Sequence, residues 1–176
     1  MSQKGFFYMI VALTFVFVLT LFIFSKKRFN RHKHNRKKAE QVIAKIQSFE
    51  HHGQQINYLR KIDPFVFEEL LLNAFQKRGY KVIRNKRYTG DGGIDGIVYD
   101  IDGNKILIQA KRYRSYINPR HVNDFQSLLK RKRANKGYFI HTGKTSSNTR
   151  NLFQHTNVMI IGGSKLLKLI VPSVNS

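Results

Sequence analysis

The chain has no cysteine, no tryptophan and only 3 prolines among 176 residues, and its 10 acidic residues stand against 32 Lys and Arg. Without cysteine there is no disulfide framework, no thiolate zinc site and no Cys nucleophile, and the redox compartment is left open. The shortage of acids leaves a formal net charge of +22. With 41% hydrophobic residues the sequence is too apolar for a solvated basic tail, so the charge sits on something folded or membrane-bound. The length leaves room for one modest domain.

Charge is also missing from Phe6 to Phe24, 19 residues in which only Thr14 and Thr20 are polar breaks. As a helix this run is about 28 Å long, enough to cross a bilayer core. A cleaved signal peptide has a shorter apolar core and a small-residue cleavage site, whereas Phe24-Ser25 runs straight into Lys26-Lys27-Arg28. Residues 1–25 therefore predict a retained transmembrane anchor; a buried core helix fits poorly because every face is bulky. Residues 26 to 38 carry eight Lys and Arg against the single Lys4 before the run. The positive-inside rule then puts the N-terminus outside and the rest in the cytoplasm, as a single-pass protein of the inner (cytoplasmic) membrane. The same basic run could grip anionic lipid or nucleic acid, although a stop-transfer flank accounts for it. Beyond it, residues 39 to 176 hold 23 basic residues against all 10 acidic ones, a net +13.

Residues 26–62 read as a basic juxtamembrane linker containing a helix, with Val42, Ile43, Ile46, Phe49, Ile56 and Leu59 loosely periodic around a break at His51-His52-Gly53. Its role is a spacer or a brace. The domain proper, 63–176, opens at Asp63-Pro64, a cap followed by proline at the first helical position, and this helix closes at Gly79. Strand-type runs follow at Tyr80 to Arg84, Ile94 to Asp100 and Lys105 to Lys111, the last two joined around Asp102-Gly103. A helix from Asn118-Pro119 to about Arg133, a strand from Gly137 to Thr142, a helix capped by Ser146 or Ser147, a strand from Val158 to Ile161 and a short helix from Ser164 complete the chain. The order α-β-β-β-α-β-α-β predicts an α/β fold, a mixed sheet flanked by helices on both faces.

Metal-assisted phosphodiester hydrolysis needs oxygen ligands on one surface, a neighbouring cation and a basic groove. Gln109 and Lys111 are two apart on their strand and share a side, while Ile106, Ile108 and Ala110 take the other. Whether Asp95 joins them depends on the turn. A three-residue loop, Ile101-Asp102-Gly103 with Gly103 left-handed, sets Asp95 opposite Gln109; a two-residue turn sets it against Ala110 on the wrong face. Glu68 shares its helix face with Leu71, Leu72 and Phe75 toward the sheet, whereas Glu69 lines up with Asn73 and Gln76 on the wet side. Glu68 is the better candidate, although a surface acid in a first helical turn is also favoured by the helix dipole alone.

The stretches "FEELLLNAFQKRGYKV", "TGDGGIDG" and "ILIQAKRY", with weaker echoes in "GYFIHTGKTSSNTR" and "VMIIGGSKLLKLI", resemble the Mrr-like (type IV) restriction endonuclease domain, a branch of the PD-(D/E)xK nuclease superfamily. The resemblance covers about residues 63 to 172. It implies a nuclease fold, DNA as partner, Mg²⁺ or Mn²⁺ as cofactor, and catalytic roles for Asp95, Gln109, Lys111 and Glu68. Asp95 and Gln109 would be metal ligands, joined by the Ala110 carbonyl and by Glu68 directly or through water, and Lys111 would serve the attacking water. Gln109 stands where most of the superfamily has Glu, as this branch does. Arg112, Arg114, Arg120 and Lys130 to Arg133 could cradle flanking phosphates.

Three other patterns carry less. "GYFIHTGKT" misses the P-loop spacing by one residue and reads as a strand. Asp91, Asp95, Gly96 and Asp102 fall on calcium-loop positions, but Gly93 replaces a ligand and the final Glu is missing. His121, His141 and His155 form no metal-type pair and read as ordinary surface or packed residues. The sequence thus predicts a membrane-tethered, metal-dependent DNA endonuclease, with a homodimer able to cut two strands. The competing readings are a nucleic-acid-binding module on the same fold without turnover, and a lipid-surface structural protein.

Overall fold

The computed structural model describes residues 3–85 and 93–171, with the side chains at 3, 6, 24 and 27–31 excepted. Asp91 of the calcium-loop pattern, most of the "TGDGG" segment and residues 172–176 of the expected domain lie outside the described residues.

The elements in chain order are α1 (Gln3–Gln47), α2 (His52–Leu59), α3 (Pro64–Lys77), β1 (Lys81–Arg84), β2 (Gly96–Tyr99), β3 (Lys105–Lys111), α4 (Pro119–Arg131), β4 (Lys136–His141), α5 (Ser147–Phe153), β5 (Val158–Ile161) and α6 (Gly163–Ile170). The sheet runs β1-β2-β3-β4-β5. Its first three strands form an antiparallel meander and its last three are parallel, the mixed sheet expected. Parallel neighbours need long crossovers, and α4 and α5 supply them.

The helix starts follow their caps. The Asp63 carboxylate accepts from the Phe65 and Val66 N–H groups at 2.8 and 3.2 Å ahead of Pro64, and Ser146 caps α5 through the Thr149 N–H. Two apolar layers sandwich the sheet. On one face Phe67, Leu70, Leu71 and Phe75 of α3 and Leu166, Leu167 and Ile170 of α6 pack on Val98, Ile106, Ile108 and Ile140. On the other, Val122, Phe125 and Leu129 of α4 meet Leu107 and Phe139. Each such side chain contributes roughly 1.5–3 kcal/mol by burial.

The first layer begins upstream of Asp63, where the sequence places the start of the domain. Ala39, Val42, Ile43 and Ile46 of α1 and Leu59 of α2 belong to it, so the linker helix is a brace built into the core. No glycine or proline interrupts residues 26 to 47, and the apolar run, its basic flank and the brace form one continuous helix. From Phe7 to Ile23 its side chains are exposed. Among the described residues no helix is long and apolar enough to cross a membrane. The transmembrane helix expected over residues 1–25 is thus not found among the described residues.

Candidate active site

The β2–β3 hairpin takes the odd-length form. The Gly103 N–H donates to the Asp100 carbonyl at 3.1 Å and the Asp100 N–H to the Asn104 carbonyl at 3.3 Å, with Gly103 left-handed at φ +78. The Asp100 carboxylate holds the loop by accepting from the Asp102 and Asn104 N–H groups. Pairing then runs from Tyr99↔Lys105 to Gly96↔Ile108, which carries Asp95 to the level of Gln109. Ile106 and Ile108 enter the α3 layer and Leu107 the α4 layer, so the alternation that puts Gln109 and Lys111 together holds.

Asp95 is tied to β3 twice. Its N–H donates to the Ile108 carbonyl at 2.9 Å, and its Oδ2 accepts from the Ala110 N–H at 2.6 Å. The carboxylate thus substitutes for a strand partner just past the end of β2. Burial pushes its pKa up to about 6, against the Ala110 N–H and the Lys111 ammonium, which both favour the ionised form.

Gln109 is 7% exposed, and its Nε2 donates to the Gly93 carbonyl at 2.6 Å. That bond fixes which end of the amide is which, because a flipped group would set two oxygens against each other. Gln109 Oε1 is left buried without a hydrogen-bond partner. Gly93 is required for this arrangement, with φ +90 and only 2.5 Å between a Cβ at that position and Gln109 Nε2.

Glu68 approaches from α3. Burial, then the charges of Asp95, Glu69 and Asp63, push its pKa up to about 8, with Arg112 opposing. Glu68 and Asp95 line one small pocket with His32, Glu69, Leu72, Arg84 and Asn85. Asn85 Nδ2 donates to the Ile94 carbonyl, fixing the residue before Asp95. Among the described residues no three His, Cys, Asp or Glu gather as a metal site. What meets in the pocket is Glu68 and Asp95, the Asp95 charge raising the Glu68 pKa. Gln109 and Lys111 do not line it, and the alternation along β3 turns both toward the α4 face, although the Lys111 ammonium is close enough to favour ionised Asp95. Carboxyl oxygens of this kind are the hard donors that a Mg²⁺-like ion takes.

Several expectations are corrected. Glu69 and Asn73 are not on a wet face: they are 1% and 7% exposed, because the C-terminal half of α1 packs there. Glu69 Oε1 pairs with His32 Nδ1 at 2.8 Å and Oε2 with Arg84 Nε at 2.9 Å. Arg84 Nη2 also donates to Asn73 Oδ1 at 2.7 Å and Gln76 Oε1 at 3.1 Å. Nothing in the sequence marks His32, which sits inside a basic run that reads as a flank.

The run Lys130 to Arg133 lies at the far end of β3 from Lys111, since Lys105 Nζ donates to the Lys132 carbonyl at 2.8 Å. Helix α4 runs back along the strand and carries its C-terminus away from the site. Arg112 is engaged with the Ile62 carbonyl, whereas Arg114 and Arg120 are exposed. His141 is buried, accepts from the Gly143 N–H at Nδ1 and meets Thr145 Oγ1 at Nε2. Burial pushes its pKa down to about 4, so it is a neutral packed residue. Gly137 to His141 lies in β4, which removes the P-loop reading.

A catalytic-domain family of Mrr type, described as restriction endonuclease, matches residues 59–170. The chain belongs to this Mrr-type restriction endonuclease family. It is similar to the type IV methyl-directed restriction enzyme EcoKMrr of Escherichia coli (strain K12), with 29% identity over 120 residues, 64% of this chain and 40% of that one. The chain therefore spans less than half the length of that relative. Its fold matches the MspJI restriction endonuclease, solved in complex with a 27-mer oligonucleotide, at TM-score 0.50 and 22% identity over 67% of this chain and 30% of that one. Glu68, Asp95, Gln109 and Lys111 all fall inside the Mrr-type match. All of α1, with His32, falls before it.

Proposed function

We propose that this chain is a metal-dependent DNA endonuclease of restriction type that hydrolyses phosphodiester bonds with Mg²⁺ or Mn²⁺. The observation that carries this reading is the meeting of Glu68 and Asp95 in one pocket, with Asp95 bound to β3 at the Ala110 N–H, between Gln109 and Lys111. Asp95, Gln109 Oε1 and Glu68 would hold the cation. A bound cation supplies Lewis acidity at the phosphate and a lowered pKa for water. Glu68 gives up the proton it keeps near neutral pH in the bare site. Lys111 orients the attacking water and offsets charge developing on the phosphate. Arg114 and Arg120, exposed at the same end of the sheet, meet flanking phosphates, and two copies of the chain together cut both strands.

The purified chain, incubated with plasmids of differing methylation, is expected to cut one or more of them with Mg²⁺ and none with chelator. Asp95→Ala and Lys111→Ala should abolish cleavage and leave salt-sensitive DNA binding in place. Cleavage indifferent to chelator would sink the proposal. Because Gln109 contributes a neutral oxygen where a carboxylate would add charge, a binding module without turnover is the second reading; binding at all Mg²⁺ concentrations with no cleavage is its signature.

We also place the chain at the cytoplasmic face of the inner membrane, held by α1. The exposed apolar side chains from Phe7 to Ile23 and the basic residues that follow support this. Recovery in the carbonate-washed membrane fraction, with residues 39 to 176 open to protease only from the cytoplasmic side, is the expected result.

A further inference from the structure

We infer that His32 on α1 is a positioning residue of the nuclease site, so that the working site extends beyond the restriction endonuclease domain onto the helix that precedes it. The inference rests on the metal-site reading above and adds a residue to it. His32 lines the same small pocket as Glu68 and Asp95. Its Nδ1 holds Glu69 Oε1 at 2.8 Å while Arg84 Nε holds Oε2 at 2.9 Å. The Glu69 carboxylate, at 1% exposure, is thereby a buried knot joining α1, α3 and β1. Both ligand-bearing segments hang from that knot. Glu68 is the residue just before Glu69 in α3. On the other side Arg84 is followed by Asn85, whose side chain donates to the Ile94 carbonyl beside Asp95.

A buried carboxylate that loses a donor must turn toward another or toward water, and either motion rotates the helical turn that presents Glu68. Ligand sets tolerate little displacement, and loss of an orienting partner typically weakens metal binding by about 10–100-fold. Asparagine can present an amide N–H close to where Nδ1 presents its own, so His32→Asn should preserve the knot that His32→Ala breaks.

Mn²⁺ binding to the full chain, followed by electron paramagnetic resonance without DNA, tests this. His32→Ala is expected to weaken Mn²⁺ binding roughly tenfold, and His32→Asn to restore it. Val42→Ala, which only thins the α1–α3 packing, should lower the melting temperature and leave Mn²⁺ binding unchanged. Asp95→Ala separates the two levels of argument. If it leaves Mn²⁺ binding intact, the metal site itself is misassigned. If it abolishes binding while His32→Ala binds as the parent does, or Val42→Ala weakens binding as much as His32→Ala, the positioning role is overturned and α1 is only a brace.

Discussion

Replacing Glu68 by glutamine should stabilise the metal-free protein, by an amount that is nil near pH 4 and grows to its full size at alkaline pH. The folded chain keeps a proton on this carboxyl up to about pH 8, whereas the unfolded chain releases it near the ordinary 4.5. Between those values the folded state binds more protons, so stability falls as pH rises through the interval and levels off above it. The width of the gap sets a ceiling of about 5 kcal/mol. Glu68 keeps partial solvent contact, and screening brings the expected gain to about 1–2 kcal/mol. A glutamine has no proton to lose and fills nearly the same volume. Thermal unfolding in chelator should therefore superimpose the two proteins near pH 4 and separate them at pH 8.5, the variant melting higher by about 2–4 °C per kcal/mol. Saturating Mg²⁺ should narrow that difference by raising the parent, because a ligand that binds only the folded state stabilises it. An offset independent of pH, or a variant less stable than the parent at pH 8.5, would refute the reasoning.

Gly93→Ala should cost about 2–4 kcal/mol and remove cleavage, since it combines an unfavourable φ of +90 with a Cβ 2.5 Å from Gln109 Nε2; urea denaturation and a plasmid assay check both. Gly103→Ala meets nothing within 4 Å, so only its φ of +78 is strained. A loss of about 1 kcal/mol with cleavage retained is expected. Phe67→Ala, at a position 1% exposed, should cost about 3–5 kcal/mol in the same denaturation experiment. His141 adds a pH dependence of opposite sign to that of Glu68. Its buried ring stays neutral down to about 4 while the unfolded chain protonates near 6.5, so stability is lost as pH falls through that window. His141→Gln should flatten the acid limb of the stability curve.

The register of the hairpin was within reach of the sequence because a side-chain period of two makes loop length decide which face a carboxylate takes. Asp102-Gly103 offered only two lengths, and the chemistry required the odd one. The caps at Asp63 and Ser146 and the alternation along β3 were readable for the same reason: local geometry depends on neighbours in the chain. What stayed hidden depends on neighbours elsewhere. The second face of α3 looked solvated because its charged and amide residues are spaced as a wet stripe, and nothing local says that α1 folds back over it. The position of Lys130 to Arg133 was likewise a matter of helix direction, with α4 returning along β3 toward Lys105. Gln109 was visible as a polar residue in an apolar strand, but its unmatched oxygen emerges only once Gly93 takes the amide N–H.

The absence of any break between Ser25 and Gln47 gives α1 the mechanics of a strut. At 1.5 Å per residue, His32 lies about 12 Å along the axis from Phe24. If the apolar end is seated in lipid, the candidate site stands closer to the headgroups than a double helix is wide and has no swivel to move away. Substrate would then have to arrive from the side facing away from the bilayer, and only nucleic acid brought up against the membrane would come within reach.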